Sequence, residues 1–185
     1  MGKIFWGLLF LSIDIKLGPM SMTPNFIGYL LINYGMSRAD GRAPQLRKYR
    51  DLVMYFIPVG MAEFVLSVLG LLGSIPSVLC LAVRMAALWA VARWTAGLEE
   101  QSAYDLGAGK IDSMWKIVCA VHAVLAVIYL FPLFVRNEDM LSVLAVFAML
   151  ITVLGLIAMI RYLVAFRKFA KEWEEDVKER NEETK

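Results

Sequence analysis

Two apolar runs, Leu52 to Gly73 and Ser77 to Leu98, dominate the hydrophobic pattern of the chain, and they meet at Gly73-Ser74-Ile75-Pro76. Each approaches the ~20 predominantly apolar residues that a membrane-spanning helix needs. The pattern predicts a transmembrane hairpin with its turn at Gly73 to Pro76. Two further runs, Met114 to Phe134 and Met140 to Val164, have spanning length and are separated by an expected turn at Val135 to Asp139. The opening runs, Ile4 to Ile13 and Phe26 to Gly35, are shorter, and the stretch between them is rich in turn formers: Asp14, Lys16, Gly18, Pro19, Ser21, Thr23, Pro24 and Asn25. At 1.5 Å per residue, ten residues cover ~15 Å of a ~30 Å hydrocarbon layer. The pair is therefore expected either as two short tilted spans or as a re-entrant hairpin shielded by the later helices.

Beyond the last run the periodicity continues into charged sequence, with Phe166, Phe169, Trp173 and Val177 at spacings of three and four. Glu174 with Lys178 and Asp176 with Arg180 stand at i,i+4. This segment reads as an extension of the last span with one solvated face and Trp173 as interfacial anchor, ahead of a helix that docks a partner. The pattern as a whole predicts an all-α, polytopic transmembrane helix bundle of about six membrane segments. Residues 1–165 form its membrane domain, and residues 166–185 a charged amphipathic helix in the cytoplasm.

Composition agrees with this reading. The chain is 59% apolar and 19% charged, with mean hydropathy +0.62, against the ~45–50% apolar content of soluble domains. A net charge of +2 with basic residues flanking apolar runs excludes a nucleic-acid partner. Arg38, Arg42, Arg47, Lys48 and Arg50 crowd the Ser37 to Asp51 loop, and the last run meets Arg161, Arg167, Lys168 and Lys171 at its end. The positive-inside rule places both groups, and with them both termini, on the cytoplasmic side of the cell membrane. The apolar start after Met1-Gly2-Lys3 has no small-residue cleavage site before Asp14 and is expected to be retained. Cys80 and Cys119 fall within spans, outside any CxxC pattern, and read as small core residues.

The Phe5-Trp6-Gly7-Leu8-Leu9-Phe10 opening, Asp14, and Pro24-Asn25-Phe26-Ile27-Gly28-Tyr29 resemble the beginning of a group of small bacterial multispan membrane proteins, which read FxGLLF, then D, then LPDFIGY. The likeness covers roughly the first 35 residues. Thr23 and Asn25 stand where that pattern has Leu and Asp. The resemblance implies a multispan membrane protein and carries over no activity and no catalytic residue.

Charge inside the membrane marks the candidate chemistry, because an ionisable group at the bilayer centre costs roughly 2.5–3.5 kcal/mol on insertion scales and needs a partner. Folding the central hairpin back brings Glu63, near the middle of its first arm, to nearly the depth of Arg84. The two are expected to pair, either to fix helix register or to line a polar ligand or ion path. Arg93 lies close enough to the cytoplasmic end to snorkel. His122, the single histidine, reads as a neutral ring hydrogen-bonded between helices, ahead of a proton relay with Glu63. Ala82, Ala86 and Ala90 form a small-xxx-small ridge for close helix packing. The candidate polar set is Glu63, Arg84, His122, Asp14, Asn25 and Tyr29, with Asn33, Tyr55, Ser67 and Tyr129 as helpers.

No HExxH, GxSxG or P-loop occurs, nor a metal ligand set, so no catalytic residue, metal or cofactor is expected. The first functional expectation is a transport component that binds a small molecule or ion. The layout resembles the substrate-binding membrane subunits of vitamin importers, except that their small-residue ridge lies on the first helix and this one on the fourth segment. The alternative is a scaffold or regulatory subunit of a larger membrane complex, and the third reading is a lipid-modifying enzyme. The expected partners are the lipid bilayer and either another membrane subunit or a second copy of the chain.

Overall fold

The computed structural model describes residues 1–13, 16–17, 20–21, 24–38, 43–71, 73–102, 104–131, 134 and 138–183. It is all-α apart from one two-residue ladder. The helices are α1 (Gly2–Ser12), α2 (Asn25–Ser37), α3 (Arg47–Val68), α4 (Ser74–Glu99), α5 (Ala108–Leu130) and α6 (Glu138–Glu183), with a 3₁₀ turn at Pro44–Leu46 leading into α3. Four stretches, Pro44–Val68, Ile75–Glu99, Ala108–Leu130 and Met140–Arg180, are long and apolar enough to cross a membrane.

The short opening runs form an antiparallel helical pair. Between them β1 (Lys16–Leu17) and β2 (Met20–Ser21) pair antiparallel, Lys16 opposite Ser21 and Leu17 opposite Met20. The remaining turn residues between the arms, Asp14 among them, lie outside the described residues. Glycine sets the closeness of α1 and α2. A Cβ on Gly7 would stand 2.6 Å from the Gly28 carbonyl oxygen, and one on Gly28 would stand 2.9 Å from the Gly7 carbonyl oxygen. Such approach of two backbones is what small residues permit inside lipid. The next helix, α2, packs on α3 in the same manner, since a Cβ on Gly60 would meet Tyr29 Cε2 at 2.9 Å and the Phe26 backbone at 3.0 Å. Near the other end of α2, Asn33 Nδ2 donates to the Arg50 carbonyl at 3.1 Å.

Several boundaries differ from those the apolar pattern predicts. Helices do not stop where hydrocarbon stops: α3 begins at Arg47 and α5 at Ala108, because polar residues continue a helix in water and are braced by i,i+4 pairs such as Lys116 with Asp112 at 2.7 Å. The central turn also lies earlier than Gly73 to Pro76. At the end of α3, Gly70 takes φ +67° while its N–H bonds the Ser67 carbonyl, and Leu71 N–H reaches back to the Leu66 carbonyl. This is a Schellman-type stop. Pro76 sits in the first turn of α4, where its missing N–H has no intrahelical partner to lose. Of the expected turn at Val135 to Asp139, residues 135–137 lie outside the described residues, and α6 has already begun at Glu138.

The axis of the bundle is the second half of α4. Ala87, Leu88, Ala90, Val91, Ala92, Trp94, Thr95 and Leu98 are buried on nearly all sides. Trp115 Nε1 donates to the Met85 carbonyl at 3.1 Å and Tyr162 Oη to the Leu88 carbonyl at 3.0 Å, attaching α5 and α6 to α4. Leu46 inserts where Gly97 has no side chain. The predicted Ala82, Ala86, Ala90 ridge is only partly a packing surface: Ala90 is buried, Ala86 half-buried and Ala82 exposed. The burial on α4 falls further along, among Ala87, Ala90 and Ala92.

The charged C-terminal segment continues α6 without a break. Its stripe of Phe166, Phe169 and Trp173 is buried against the chain's own basic end instead of lying open for a partner. Asp176 pairs with Arg180 at 2.8 Å as its spacing predicts, whereas Glu174 turns to the Met1 amine at 3.4 Å and not to Lys178. The first half of α6 behaves differently. Leu141, Leu144, Ala148, Ile151 and Gly155 mark the face turned to α5, and the residues between them are exposed, as expected of a surface that lipid covers.

Replacing Gly7 by Val forces a side chain into the Gly28 backbone and should cost about 1–3 kcal/mol, the range for overpacking. Thermal unfolding in detergent should show that loss, whereas Gly109→Ala, which meets open space, should show none.

Candidate functional site

Three helices converge on one polar point. From α3, Glu63 is 8% exposed, and from α4 Arg84 Nη2 approaches Glu63 Oε1 at 3.5 Å. From the first turn of α2, Asn25 Nδ2 donates to the other carboxylate oxygen, Glu63 Oε2, at 3.1 Å. One turn along α2, Tyr29 stands on the same face with no exposed surface, its ring against Gly60 and 6.0 Å from the Phe56 ring. Its hydroxyl lies within the electrostatic reach of Arg84, Glu63 and Cys80. A second aromatic pair, Phe26 with Phe64 at 6.0 Å, adjoins the site.

The sequence places these groups by simple means. Pro24 caps α2 and cannot continue a helix backwards, so α2 starts at Asn25 and the Asn25 side chain arrives at the depth of Glu63. Gly60, one turn before Glu63, lets α2 come close enough for that contact. The pair sits nearer the Gly70 turn than the middle of α3: Glu63 is about 8 Å of helix from Val68 and about 24 Å from Arg47. The positive end of the α2 dipole faces an ionised carboxylate, which favours that charge.

Charge is balanced here but hydrogen bonding is not. Glu63 and Arg84 neutralise one another, and the carboxylate receives Asn25 as well. Asn25 Oδ1 and Tyr29 Oη, both buried, have no hydrogen-bond partner among the described residues. A buried polar group without a partner costs roughly 1–3 kcal/mol. Two such atoms beside an intramembrane ion pair offer an acceptor and a hydroxyl to a third party.

Of the candidate polar set, then, Asn25, Tyr29, Glu63 and Arg84 come together. His122 lies within the electrostatic reach of Arg84 but makes no hydrogen bond or ion pair with Glu63; its Nδ1 is 2.8 Å from the Val118 carbonyl of its own helix and its Cε1 faces Gly155 of α6. It packs between helices but bonds within one. Asp14 lies outside the described residues. Tyr55 and Tyr129 are exposed on the outer surface, and Arg93 is exposed as snorkelling requires. Cys80, one turn before Arg84 and half-buried beside the charges, belongs to the surroundings of the site. Only its i,i+4 spacing from Arg84 could have signalled that. Among the described residues no group of His, Cys, Asp and Glu is placed to hold a metal ion.

Neither a known protein family, nor a curated protein, nor a solved structure matches the chain. The likeness of its first residues to small bacterial membrane proteins therefore assigns it to no family.

Glu63→Gln and Arg84→Met should each lower stability by several kcal/mol, because each leaves a buried charge alone, while the double variant regains part of the loss. A double-mutant cycle in detergent should return a coupling above about 1 kcal/mol. Additive losses would mean that the two side chains do not depend on one another.

Proposed function

We propose that this is a multi-pass protein of the cell membrane that binds a small polar molecule or ion within the bilayer, as a component of a transport process. Asn25, Tyr29, Glu63 and Arg84 are its ligand-facing groups. The single observation that carries the reading is the coincidence of a buried ion pair with two buried polar atoms that lack partners among the described residues, Asn25 Oδ1 and Tyr29 Oη. Intramembrane charge set against discontinuous helix ends is how polar substrates are commonly held in bilayers. The α1–α2 pair is re-entrant in this reading. It enters from the basic side, ends near Glu63 and returns, with β2 packed against α3. Both chain ends then lie in the cytoplasm.

The ligand itself can be sought without knowing it in advance, by mass spectrometry of small molecules that copurify and by a thermal-shift screen over ions and polar metabolites. The informative variant is Tyr29→Phe. Since Tyr29 Oη bonds no described residue, removing it should leave basal stability within ~0.5 kcal/mol or raise it, yet abolish the shift given by a bound compound. A screen with no responding compound, or a responder indifferent to Tyr29→Phe and Asn25→Leu, overturns the assignment.

Topology has its own test. In a background lacking Cys80 and Cys119, a single cysteine at Gln45 should resist an impermeant thiol reagent added to intact cells, and one at Gly73 should react. The reverse pattern would invert the orientation.

A further inference from the structure

At the basic end of the molecule a second feature stands apart from the ion-pair site. Between the end of α2 and the charged part of α6 lies a groove of about 330 Å³, lined by Met1, Gly35, Arg38, Trp173, Val177 and Lys178, with Glu174 on its rim. Ligand sites typically begin near ~300 Å³. Met1, Gly35, Trp173 and Val177 give the lining its apolar surface, and Arg38, Lys178 and Glu174 its charge.

The cations at this end are gathered on purpose-built supports. Lys3 Nζ sits 3.7 Å from the centre of the Tyr34 ring, and Arg38 Cζ lies 5.1 Å from the same centre while its Nη2 donates to Tyr34 Oη at 2.9 Å. One aromatic ring thus holds two like charges near each other. Among the described residues no carboxylate forms an ion pair with Lys3, Arg38 or Lys178. Glu174, the acid on the rim, lies against the Met1 amine. A topogenic role requires positive charge in this region, but not its collection around one ring beside an apolar groove.

Charge and position point to the occupant. The last apolar run ends at Val164, and Trp173 lies about 9 Å of helix beyond Arg167, next to the outer edge of a headgroup layer of about 5–8 Å per leaflet. Leu30, one turn from Tyr34 towards the hydrocarbon, is exposed. We propose that the groove binds the phosphate-bearing headgroup of an anionic glycerophospholipid. Arg38 and Lys178 meet the phosphate with the Lys3 charge close by, the headgroup rests against Trp173, and the lipid's apolar part turns back along Leu30. The surface potential of an anionic leaflet supplies such lipids where juxtamembrane cations concentrate.

The test titrates purified full-length protein in neutral detergent with phosphatidylglycerol, phosphatidylcholine or inorganic phosphate while thermal stability is read. Phosphatidylglycerol should raise Tm, and the other two should leave it unchanged. Each cation near an anionic headgroup is worth roughly fivefold in apparent affinity. Arg38→Gln with Lys178→Gln should therefore need about thirtyfold more phosphatidylglycerol for the same shift, with Tm unaltered when no lipid is added. Should that pair lower the basal Tm, Lys3→Gln alone serves, with a roughly fivefold weakening expected. Equal stabilisation by phosphatidylcholine, or titrations unchanged in the variants, would overturn the proposal. A full shift from inorganic phosphate would replace the lipid with a free anion and overturn it equally.

Discussion

A carboxylate and a guanidinium inside hydrocarbon are bound to one another by cost, since either left alone is several kcal/mol worse than the pair. That constraint fixes more than two side chains. It sets the register of α3 against α4, because sliding either helix by a turn would separate Glu63 from Arg84 by about 5 Å. It also gives α2 its end point, since Asn25 completes the carboxylate's hydrogen bonding only if α2 begins at that depth. Gly60, Gly28 and Gly7 then become requirements of the same contact, because each removes the side chain that would hold the hairpin away.

Burial is distributed unevenly along the bundle, and the solvent explains why. Inside lipid there is no hydrophobic force between helices, so helices touch along narrow seams, as the first half of α6 touches α5. Where the helices approach water the hydrophobic effect returns and a core forms. Leu46, Trp94, Leu98, Leu106, Phe166, Phe169 and Trp173 lie in that core at the basic end. Exposed residues such as Leu79, Val127, Met149 and Val153 belong to the part that lipid covers. One molecule therefore carries two packing regimes, joined through the buried half of α4.

The helical class and the long apolar segments were legible in the sequence because a bilayer demands about twenty apolar residues and little else. The pairing of Glu63 with Arg84 was legible because folding the hairpin back brings the two to within about a helical turn in depth, a gap two long side chains can close. Boundaries were harder to read. Hydropathy reports where lipid ends, whereas Arg47 and Ala108 show where helix begins, and polar residues support a helix in water as readily as loops do. The turn was misplaced by a few residues because Pro76 looks like a breaker when it is a tolerated member of a first helical turn. Within the site, Tyr29 and Asn25 could be suspected from their polarity alone, but that Asn25 donates to Glu63 depends on a helix crossing at Gly60, which no local pattern announces. His122 was expected to bond between helices, whereas its hydrogen bond runs within its own helix, because the Val118 carbonyl one turn back lies within reach of the ring.

The unbroken length of α6 has a mechanical meaning. Forty-six residues make a rod of about 69 Å, more than twice the ~30 Å of the hydrocarbon layer. A rod held along its first half by α5, tied to α4 at Tyr162 and seated near its far end at Trp173 behaves as a lever. A tilt of about 5° in the membrane portion would swing the opposite tip by roughly 6 Å over that length. Since Trp173 and Val177 lie beside Met1 and Gly35, such a swing would press on the α1–α2 pair, and the other end of α2 is Asn25 at Glu63. The charged end of α6 is thus joined to the neighbourhood of Glu63 through one continuous series of contacts, with the glycine contact of α1 and α2 between them.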